Sequence, residues 1–421
     1  MQPWFIPMFY ISGAVVAGLA LPRIEQSYLS TYSIGLSVSS AQALLSAAAS
    51  GMMALTGIVF AMAFVMVQFS AIAFSPRLVL WFTRDRILFH ALGAFTATFV
   101  YALFTLAWVD RNGSAKVPLF ATLVVGIMII ISMLMFARLM QRLGDLQIGN
   151  VLHLVGDQGR VVINGMFRRL NGKPGASRVS IADRAKLGLV TQTVKYFGEP
   201  RAIARFDVDS LVALAQKAQG TIVMACAVGD TLVEGTVLLR VHDARESLPE
   251  EELFRAVSLG RVRTFEQDPK YPIRLLVDIA IKALSPAIND PTTAVQTIDQ
   301  LEDLLHRLGS ADLDAGYVSD KNGALRLVFP TPTWEDYLTL SFDEIRQFGS
   351  SSIQVTRRMR SALVGLLDSL PSPGRADVVR RYLKHLDHSI EASPFDLEDR
   401  RMALKEDRQG IGLSRRSIDS A

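Results

Sequence analysis

Residues 41–74 read AQALLSAAASGMMALTGIVFAMAFVMVQFSAIAF, a run without one charged side chain. Three further apolar runs, at residues 5–21, 89–109 and 117–139, carry almost no charge, and no comparable run follows them. A helix needs about 20 apolar residues to cross roughly 30 Å of hydrocarbon, where the backbone can hydrogen-bond only to itself. The runs therefore predict a membrane bundle of four α-helical spans, the second at about residues 48–72.

The first run is preceded by neither Lys nor Arg, so it lacks the basic region that a signal peptide carries. We therefore expect it to be retained as the first span. Pro22 follows the run directly and is expected to help end that helix, because proline cannot donate a backbone hydrogen bond.

The basic residues of the loops predict how the bundle is oriented. The loop after the second span carries three arginines, and each alternate loop carries one or two basic residues. Those residues are Arg77, Arg84 and Arg86 in the first case, and Arg23, Arg111 and Lys116 in the second. Basic residues near span ends are retained in the cytoplasm, so both termini are predicted to be cytoplasmic.

The second run is too long for one span, since as a helix it would extend about 51 Å at about 1.5 Å per residue. Its first half is rich in small residues, which let membrane helices approach closely and can also line a narrow water-filled path. Both interpretations stay open. The candidate pore or packing residues are Ser46, Ser50, Gly51 and Gln68.

Most of the charge lies after residue 139, where the sequence predicts an α+β cytosolic region. Residues 144–178 are predicted to form a membrane-proximal helix, in which Gly156 and Gly159 weaken a continuous pattern, and a Gly/Pro/Ser-rich linker. Residues 179–245 are predicted to form a small β-containing module, and residues 250–405 a mainly helical domain. The polar residues 406–421 are predicted to be a disordered tail.

The helical domain contains a compact string of turn and capping residues at 285–291, SPAINDP. Pro286 disfavours helix at Ser285, and Asp290 followed by Pro291 is typical of a helix start. Asp278 lies on the preceding predicted helix, four residues from both Arg274 and Lys282. The string makes either a rigid corner between helices or part of a ligand site. The candidate residues are Arg263, Asp268, Asp278, Ser285, Asn289 and Asp290.

Composition excludes several other classes of function. The formal net charge of +4 comes from 44 basic and 40 acidic residues, a mixture too even to favour nucleic acid as a partner. A single cysteine, Cys226, excludes an intramolecular disulfide and a Cys-rich zinc site. No P-loop, nucleophile-elbow or zinc-protease motif occurs. The sequence therefore predicts no enzyme, no catalytic residue, no metal site and no cofactor.

Several short strings resemble a bacterial membrane-protein family of unknown function, the domain-of-unknown-function family numbered 2254. They are Ser75-Pro76-Arg77, Asp85-Arg86, Arg263-Thr264, Gln267-Asp268, Leu276 to Ala280, Ala283 to Pro286, Ile288 to Pro291, Trp334 to Tyr337 and Asp343 to Arg346. Two departures are Ala287, where the family pattern has Gly, and Tyr271-Pro272, where it has Phe-Gly. The resemblance implies a multi-pass protein of the bacterial inner membrane and no established activity.

Two hypotheses of function follow. The first is an oligomeric channel or transport-related protein with a cytosolic regulatory domain, because four spans would enclose a pathway only as a homo-oligomer in the lipid bilayer. The second is a membrane-anchored cytosolic ligand sensor or scaffold without transport activity.

Overall fold

A computed structural model of the chain describes residues 4–28, 37–73, 77, 86–111, 117–144, 147–171 and 187–412. The chain divides into two compact units, Met1–Asn150 and Val151–Ala421. Arg84, Lys116, the predicted linker residues 172–178 and the end of the predicted tail, residues 413–421, lie outside the described residues.

The N-terminal unit confirms the prediction of a four-helix bundle. Its helices are α1 (Phe5–Tyr28), α2 (Val38–Ala73), α3 (Arg86–Leu106) and α4 (Leu119–Gly144). By length and composition, each contains a stretch able to cross a membrane. The central helix is α3, which packs against α1, α2 and α4 and buries Phe95 and Tyr101.

Helix α1 differs from the prediction at its C-terminal end, because Pro22 lies inside the helix and does not end it. The residues beyond Pro22 have tertiary partners. The carboxylate of Glu25 accepts the N–H groups of Phe120 and Ala121 at 2.9 and 3.1 Å, where α4 begins. Arg23 lies 5.7 Å from the ring of Trp108. Proline removes only one backbone donor, and neighbouring helices make that loss tolerable in membrane helices.

The C-terminal unit combines two small sheets with a layer of helices. Its elements, in chain order, are α5 (Ile148–Asn171), which begins at the boundary, β1 (Val190–Lys195), β2 (Arg201–Phe206), α6 (Val208–Lys217), β3 (Thr221–Met224), β4 (Thr231–Leu232), β5 (Val237–His242), α7 (Glu250–Arg255), β6 (Val257–Gly260), α8 (Lys270–Ala283), α9 (Pro291–Ser310), β7 (Tyr317–Ser319), β8 (Leu325–Val328), α10 (Trp334–Gly349), α11 (Ile353–Ser369), α12 (Pro373–Glu391) and α13 (Leu397–Ala403). This agrees with the predicted fold class, an α+β region that ends in helices.

Each sheet contains strands from both sides of the domain boundary predicted near residue 250. The five-stranded sheet has the order β1-β5-β3-β8-β7, and the three-stranded sheet has the order β4-β2-β6. Strand β3 pairs in parallel with β8, with Ile222 opposite Leu327. Both side chains belong to one buried apolar cluster, together with Leu238. The β-containing module and the helical domain are therefore not separate structures, since they share their sheets and this core.

Helix α5 is continuous through both of its glycines. A Cβ at Gly156 would stand 2.2 Å from Gln300 Oε1, and one at Gly159 would stand 2.8 Å from Leu304 Cδ1. Both partners lie on α9. The glycines therefore permit a close helix–helix approach, and Arg160 adds an ion pair with Asp303 across the same contact at 2.7 Å.

The prediction of a disordered tail from residue 406 is wrong for residues 406–412. Asp407 is 1% exposed, and its carboxylate accepts the backbone N–H groups of Gln409, Gly410 and Gly412 at 2.6–3.1 Å. Arg357 of α11 donates to the carbonyl of Gly412 at 2.8 Å. A carboxylate that satisfies three backbone donors can hold a polar segment that has little apolar surface to bury.

Candidate functional site

The string at residues 285–290 forms the corner between α8 and α9. Ser285 Oγ donates to the carbonyl of Lys282 at 2.7 Å, and Asp290 N donates to the carbonyl of Ala283 at 2.8 Å. Asp290 caps α9, because its carboxylate accepts the N–H of Thr293 at 3.1 Å. These hydrogen bonds form the corner itself, and the side chains of Ser285 and Asp290 are used in them.

Asn289 occupies the exposed tip of that corner, with a φ of 49°. Positive φ is uncommon for residues other than glycine, and asparagine is among the residues that tolerate it best. The backbone conformation therefore accounts for asparagine here without a ligand.

Asp278 takes part in an ion network that joins α8 to α10. Its carboxylate accepts Arg274 Nε at 2.7 Å, which is the predicted i, i+4 pair. The guanidinium of Arg274 also donates two hydrogen bonds to the carboxylate of Glu344 on α10, a bidentate contact. Asp278 lies eight residues after Lys270, the first residue of α8. At about 1.5 Å per residue it is about 12 Å along the helix, away from the loop that precedes α8. It serves the packing of two helices.

Asp268 is different, because it is buried with one carboxylate oxygen unpaired. It lies in the loop between β6 and α8 and is 1% exposed. Its Oδ1 accepts the N–H of Lys270 at 3.0 Å. Its Oδ2 has no hydrogen-bond partner among the described residues. That oxygen faces Gly229, where a Cβ would stand 2.2 Å from it.

Gly229 also brings Arg263 to the same place. The Arg263 Cζ atom would lie 3.6 Å from a Cβ at Gly229, whose φ is 90°. Burial raises the pKa of Asp268, and the positive charges of Lys270 and Arg263 oppose that rise. Asp230 adds a second negative charge. The loop residues Arg263 and Asp268 are thus close enough to interact, although no hydrogen bond joins them.

Tyr337 of α10 is a second buried polar side chain, on which the charge of Asp268 acts. Its side chain is 1% exposed, and its hydroxyl has no hydrogen-bond partner among the described residues. Burial raises the pKa of Tyr337, and the charge of Asp268 raises it further. We call Gly229, Arg263, Asp268 and Tyr337 the Asp268 cluster.

The Asp268 cluster contains two members, Gly229 and Tyr337, that the candidate residues of the sequence did not include. Tyr337 lies in one of the strings that carry the family resemblance, which was the available signal. Gly229 carried no comparable signal. Among the described residues, no group of three or more His, Cys, Asp and Glu side chains is arranged to hold a metal ion.

In the N-terminal unit, the four candidate pore or packing residues of α2 all lie on its exposed surface. The buried face of α2 instead consists of Ala41, Leu45, Ala48, Ala49, Met52, Thr56, Val59 and Met66. Successive residues of a helix are rotated by about 100° around its axis. Ser46, Ser50 and Gln68 therefore lie, with other small residues, on a strip of the α2 surface about 80° wide. This α2 stripe consists of Ser46, Ser50, Ala54, Gly57, Ala61 and Gln68. Gly51 lies beside the stripe, about 100° around the helix from Ser50.

The stripe contains the spacing that membrane helices use for close contact. Ser46, Ser50 and Ala54 follow one another at intervals of four, as do Gly57 and Ala61, and all five are exposed within the unit. A Cβ at Gly57 would meet no heavy atom within 4 Å. This is a small-xxx-small surface without a helix packed on it among the described residues.

Comparison with known proteins finds a matching family and several similar proteins. It is 26% identical over 414 residues to an uncharacterised protein of Mycobacterium bovis, covering 95% of this chain and 78% of that protein. The same values hold for an uncharacterised protein of Mycobacterium tuberculosis. No solved structure matches the chain. The family described as "Predicted membrane protein (DUF2254)" matches residues 2–364. Four apolar helices, the motif strings and this match together show that the chain belongs to the DUF2254 family of predicted membrane proteins.

Proposed function

We propose that the chain assembles into a homo-oligomer through the α2 stripe, and that this oligomer is a channel or transport-related protein. The observation that carries the proposal is the exposure of a small-xxx-small surface on an apolar helix. Lipid is as apolar as leucine, so contact in the bilayer depends on close backbone approach and on polar side chains. A second copy of α2 supplies both.

A pathway between copies fits the packing of each bundle. The described residues of α3 fill the centre of the four helices with Ala91, Ala94, Phe95, Ala97 and Tyr101. The buried hydroxyls of Thr98 and Ser132 bond to each other at 3.0 Å. The polar side chains of the α2 stripe, Ser46, Ser50 and Gln68, are exposed on the surface of the bundle and do not face its centre. Copies of α2 that cross near Gly57 would diverge toward the two ends of the stripe, where Ser46 and Gln68 would line the path.

The proposal includes the bacterial inner membrane as the location, with both termini and the C-terminal unit in the cytoplasm. Arg77 and Arg86, the first residue of α3, are both exposed on the side assigned to the cytoplasm. On the opposite side, Arg23 and Arg111 lie 5.7 and 4.0 Å from the ring of Trp108. Each outer loop carries fewer basic residues than the cytoplasmic loop, and this, with an aromatic residue at the interface, agrees with the orientation. The C-terminal unit has a regulatory role, with neither a reaction nor nucleic acid assigned to it.

Light scattering of the purified chain in detergent tests the assembly. Gly57→Leu is expected to lower the oligomer mass, because a large side chain prevents close approach along the stripe. Gly13→Leu is the matched control, since Gly13 is also exposed in a span with no heavy atom within 4 Å of a Cβ. A strictly monomeric wild-type chain, or equal effects of the two variants, contradicts the proposed assembly.

Ion flux into liposomes tests the transport part. The wild-type oligomer is expected to conduct, and Gly57→Leu is expected to lose conduction together with assembly, whereas Gly13→Leu retains both. An assembled chain that carries no flux would leave the oligomer in place and refute transport.

A second candidate function, a membrane-anchored ligand sensor without transport, is favoured by a different observation. The C-terminal unit buries a carboxylate oxygen and a phenol oxygen that have no hydrogen-bond partner among the described residues. Groups of this kind are typical of binding sites. Ligand-induced stabilisation of the chain, with no liposome flux, is the result that would select this candidate.

A further inference from the structure

Two exposed arginines lie against one tryptophan ring at one end of the membrane bundle. Arg23 is near the end of α1, and Arg111 follows α3. Their guanidinium carbons lie 5.7 and 4.0 Å from the centroid of the Trp108 ring, within the range of a cation–π contact. A guanidinium held in this way still has N–H donors for a second partner. Neither guanidinium has a hydrogen-bond or ion-pair partner among the described residues.

The acidic side chains close to these arginines in the chain do not neutralise them. Glu25 uses both of its carboxylate oxygens on α4, where they accept the N–H groups of Phe120 and Ala121. Asp110, the residue before Arg111, forms no ion pair with either arginine. In the described part of the chain, two positive charges therefore lie at this end of the bundle without an acidic group bonded to them.

The position of the two arginines along the bundle matches the level of lipid headgroups. Helix α3 has 21 residues, from Arg86 to Leu106, which at about 1.5 Å per residue span about 31 Å, close to the hydrocarbon thickness of about 30 Å. Trp108 and Arg111 follow the end of this helix, and tryptophan is enriched where hydrocarbon meets headgroups. The phosphates of a bilayer lie in the headgroup layer, just outside the hydrocarbon. This match holds for either orientation of the bundle.

The two guanidiniums are close enough to act on one phosphate. Both distances are measured to the same ring centroid, so the two guanidinium carbons are at most about 10 Å apart. One phosphate can bridge guanidinium carbons that are about 8–10 Å apart when each N–H···O distance is about 2.9 Å. Arginine suits this role because its planar fork of donors matches two oxygens of a phosphate.

The charges select the class of headgroup. A zwitterionic phospholipid would bring an ammonium group toward two guanidiniums. That ammonium group would find no free acceptor here, because the carboxylate of Glu25 is used and the Trp108 ring already contacts both arginines. An anionic phospholipid brings a phosphate and no ammonium group.

We propose that Arg23 and Arg111 bind the phosphate of an anionic phospholipid of the phosphatidylglycerol class, and that Trp108 positions both guanidiniums for it. The lipid phosphate accepts N–H groups from both arginines. This site lies apart from the α2 stripe and involves neither assembly nor transport. It can therefore fail while the proposed function stands, and the reverse also holds.

Native mass spectrometry and thermal unfolding of the full-length chain in detergent test the site. The probe is dioctanoylphosphatidylglycerol, and dioctanoylphosphatidylcholine is the zwitterionic comparison. The wild type is expected to bind the anionic lipid about tenfold more tightly and to unfold at a higher temperature with it, because a ligand that binds only the folded state stabilises it. Arg23→Gln and Arg111→Gln are each expected to weaken this binding about tenfold, since each removes a charge-assisted hydrogen bond.

Arg86→Gln is the matched control, because Arg86 is an exposed arginine at the opposite end of α3. It is expected to bind the anionic lipid as the wild type does. Trp108→Leu is expected to weaken binding although both arginines remain, and Trp108→Phe is expected to restore most of it, since a phenyl ring also holds a guanidinium. Arg111→Lys keeps the charge but lacks the planar fork, so it is expected to bind less tightly than the wild type.

Three results would overturn the inference. They are equal binding of the two lipids, equal binding by Arg111→Gln and Arg86→Gln, and stabilisation by inorganic phosphate alone that equals stabilisation by the anionic lipid. The third result would assign the arginines to a free anion. If a glutamine variant does not fold, Arg111→Lys and Trp108→Leu replace it, and wild-type affinity in both would count equally against the site.

Discussion

Replacement of Gly229 by alanine probes the closest contact of the Asp268 cluster. The φ of 90° at Gly229 costs an L-residue about 1–2 kcal/mol. The added Cβ would also stand 2.2 Å from Asp268 Oδ2 and 3.1 Å from its Cγ, so the loop must shift. Overpacking of a buried site costs about 1–3 kcal/mol. Gly229→Ala is therefore expected to destabilise the C-terminal unit by about 2–5 kcal/mol.

Gly235 provides the control that separates the two contributions. Its φ is 82°, but a Cβ there would meet no heavy atom within 4 Å. Gly235→Ala should thus show only the backbone cost, about 1–2 kcal/mol. The difference between the variants corresponds to about 2–12 °C in unfolding temperature for a unit of this size. Circular dichroism of the purified chain during heating measures both.

A double substitution checks the cause of that difference. In an Asp268→Ala background the carboxylate is absent, so Gly229→Ala should cost no more than Gly235→Ala. If the two glycine variants already unfold together in the wild-type background, the close approach of Asp268 to Gly229 is refuted. The unpaired oxygen would then not face this turn.

The other two stability predictions concern buried carboxylates. The pKa of Asp268 is raised in the folded chain, so ionisation of this carboxyl destabilises the fold. That destabilisation is absent below pH 3.8, the ordinary pKa, and complete above the pKa in the folded chain. Asp268→Asn should therefore be more stable than the wild type at neutral pH and lose that advantage as the pH falls toward 4. An advantage that is independent of pH in chemical denaturation would contradict this. Asp407→Ala removes the acceptor of three backbone N–H groups and should cost about 1–3 kcal/mol and expose the C-terminal segment to proteases. Arg408→Ala, at an exposed neighbour, should stay within about 0.5 kcal/mol, and equal protease sensitivity of the two variants would refute the docking of residues 406–412.

Local signals in the sequence were reliable wherever neighbouring residues decide the outcome. The four spans follow from apolar length alone, because a bilayer leaves the backbone no choice but a helix. The start of α9 was readable from Asp290 and Pro291, since a cap involves groups only three residues apart. The Arg274–Asp278 pair was readable for the same reason.

Local signals failed where a distant partner changed the outcome. Pro22 was expected to end α1, but Glu25 holds the helix beyond it against α4. Gly156 and Gly159 weakened a helical pattern in the sequence, yet they allow α9 to approach α5. The polar segment from residue 406 looked unable to fold by itself, and Asp407 organises its backbone.

The sequence by itself determined a membrane bundle of four helices, its family and the start of the corner at residue 285, because these depend on composition and short spacing. Only the tertiary structure decided which candidate residues meet. Strand β3 pairs with β8 across about a hundred residues, and Gly229, Asp268 and Tyr337 come together from a turn, a loop and a helix. Such contacts form because distant segments share one buried core, and no local pattern records which segments those are.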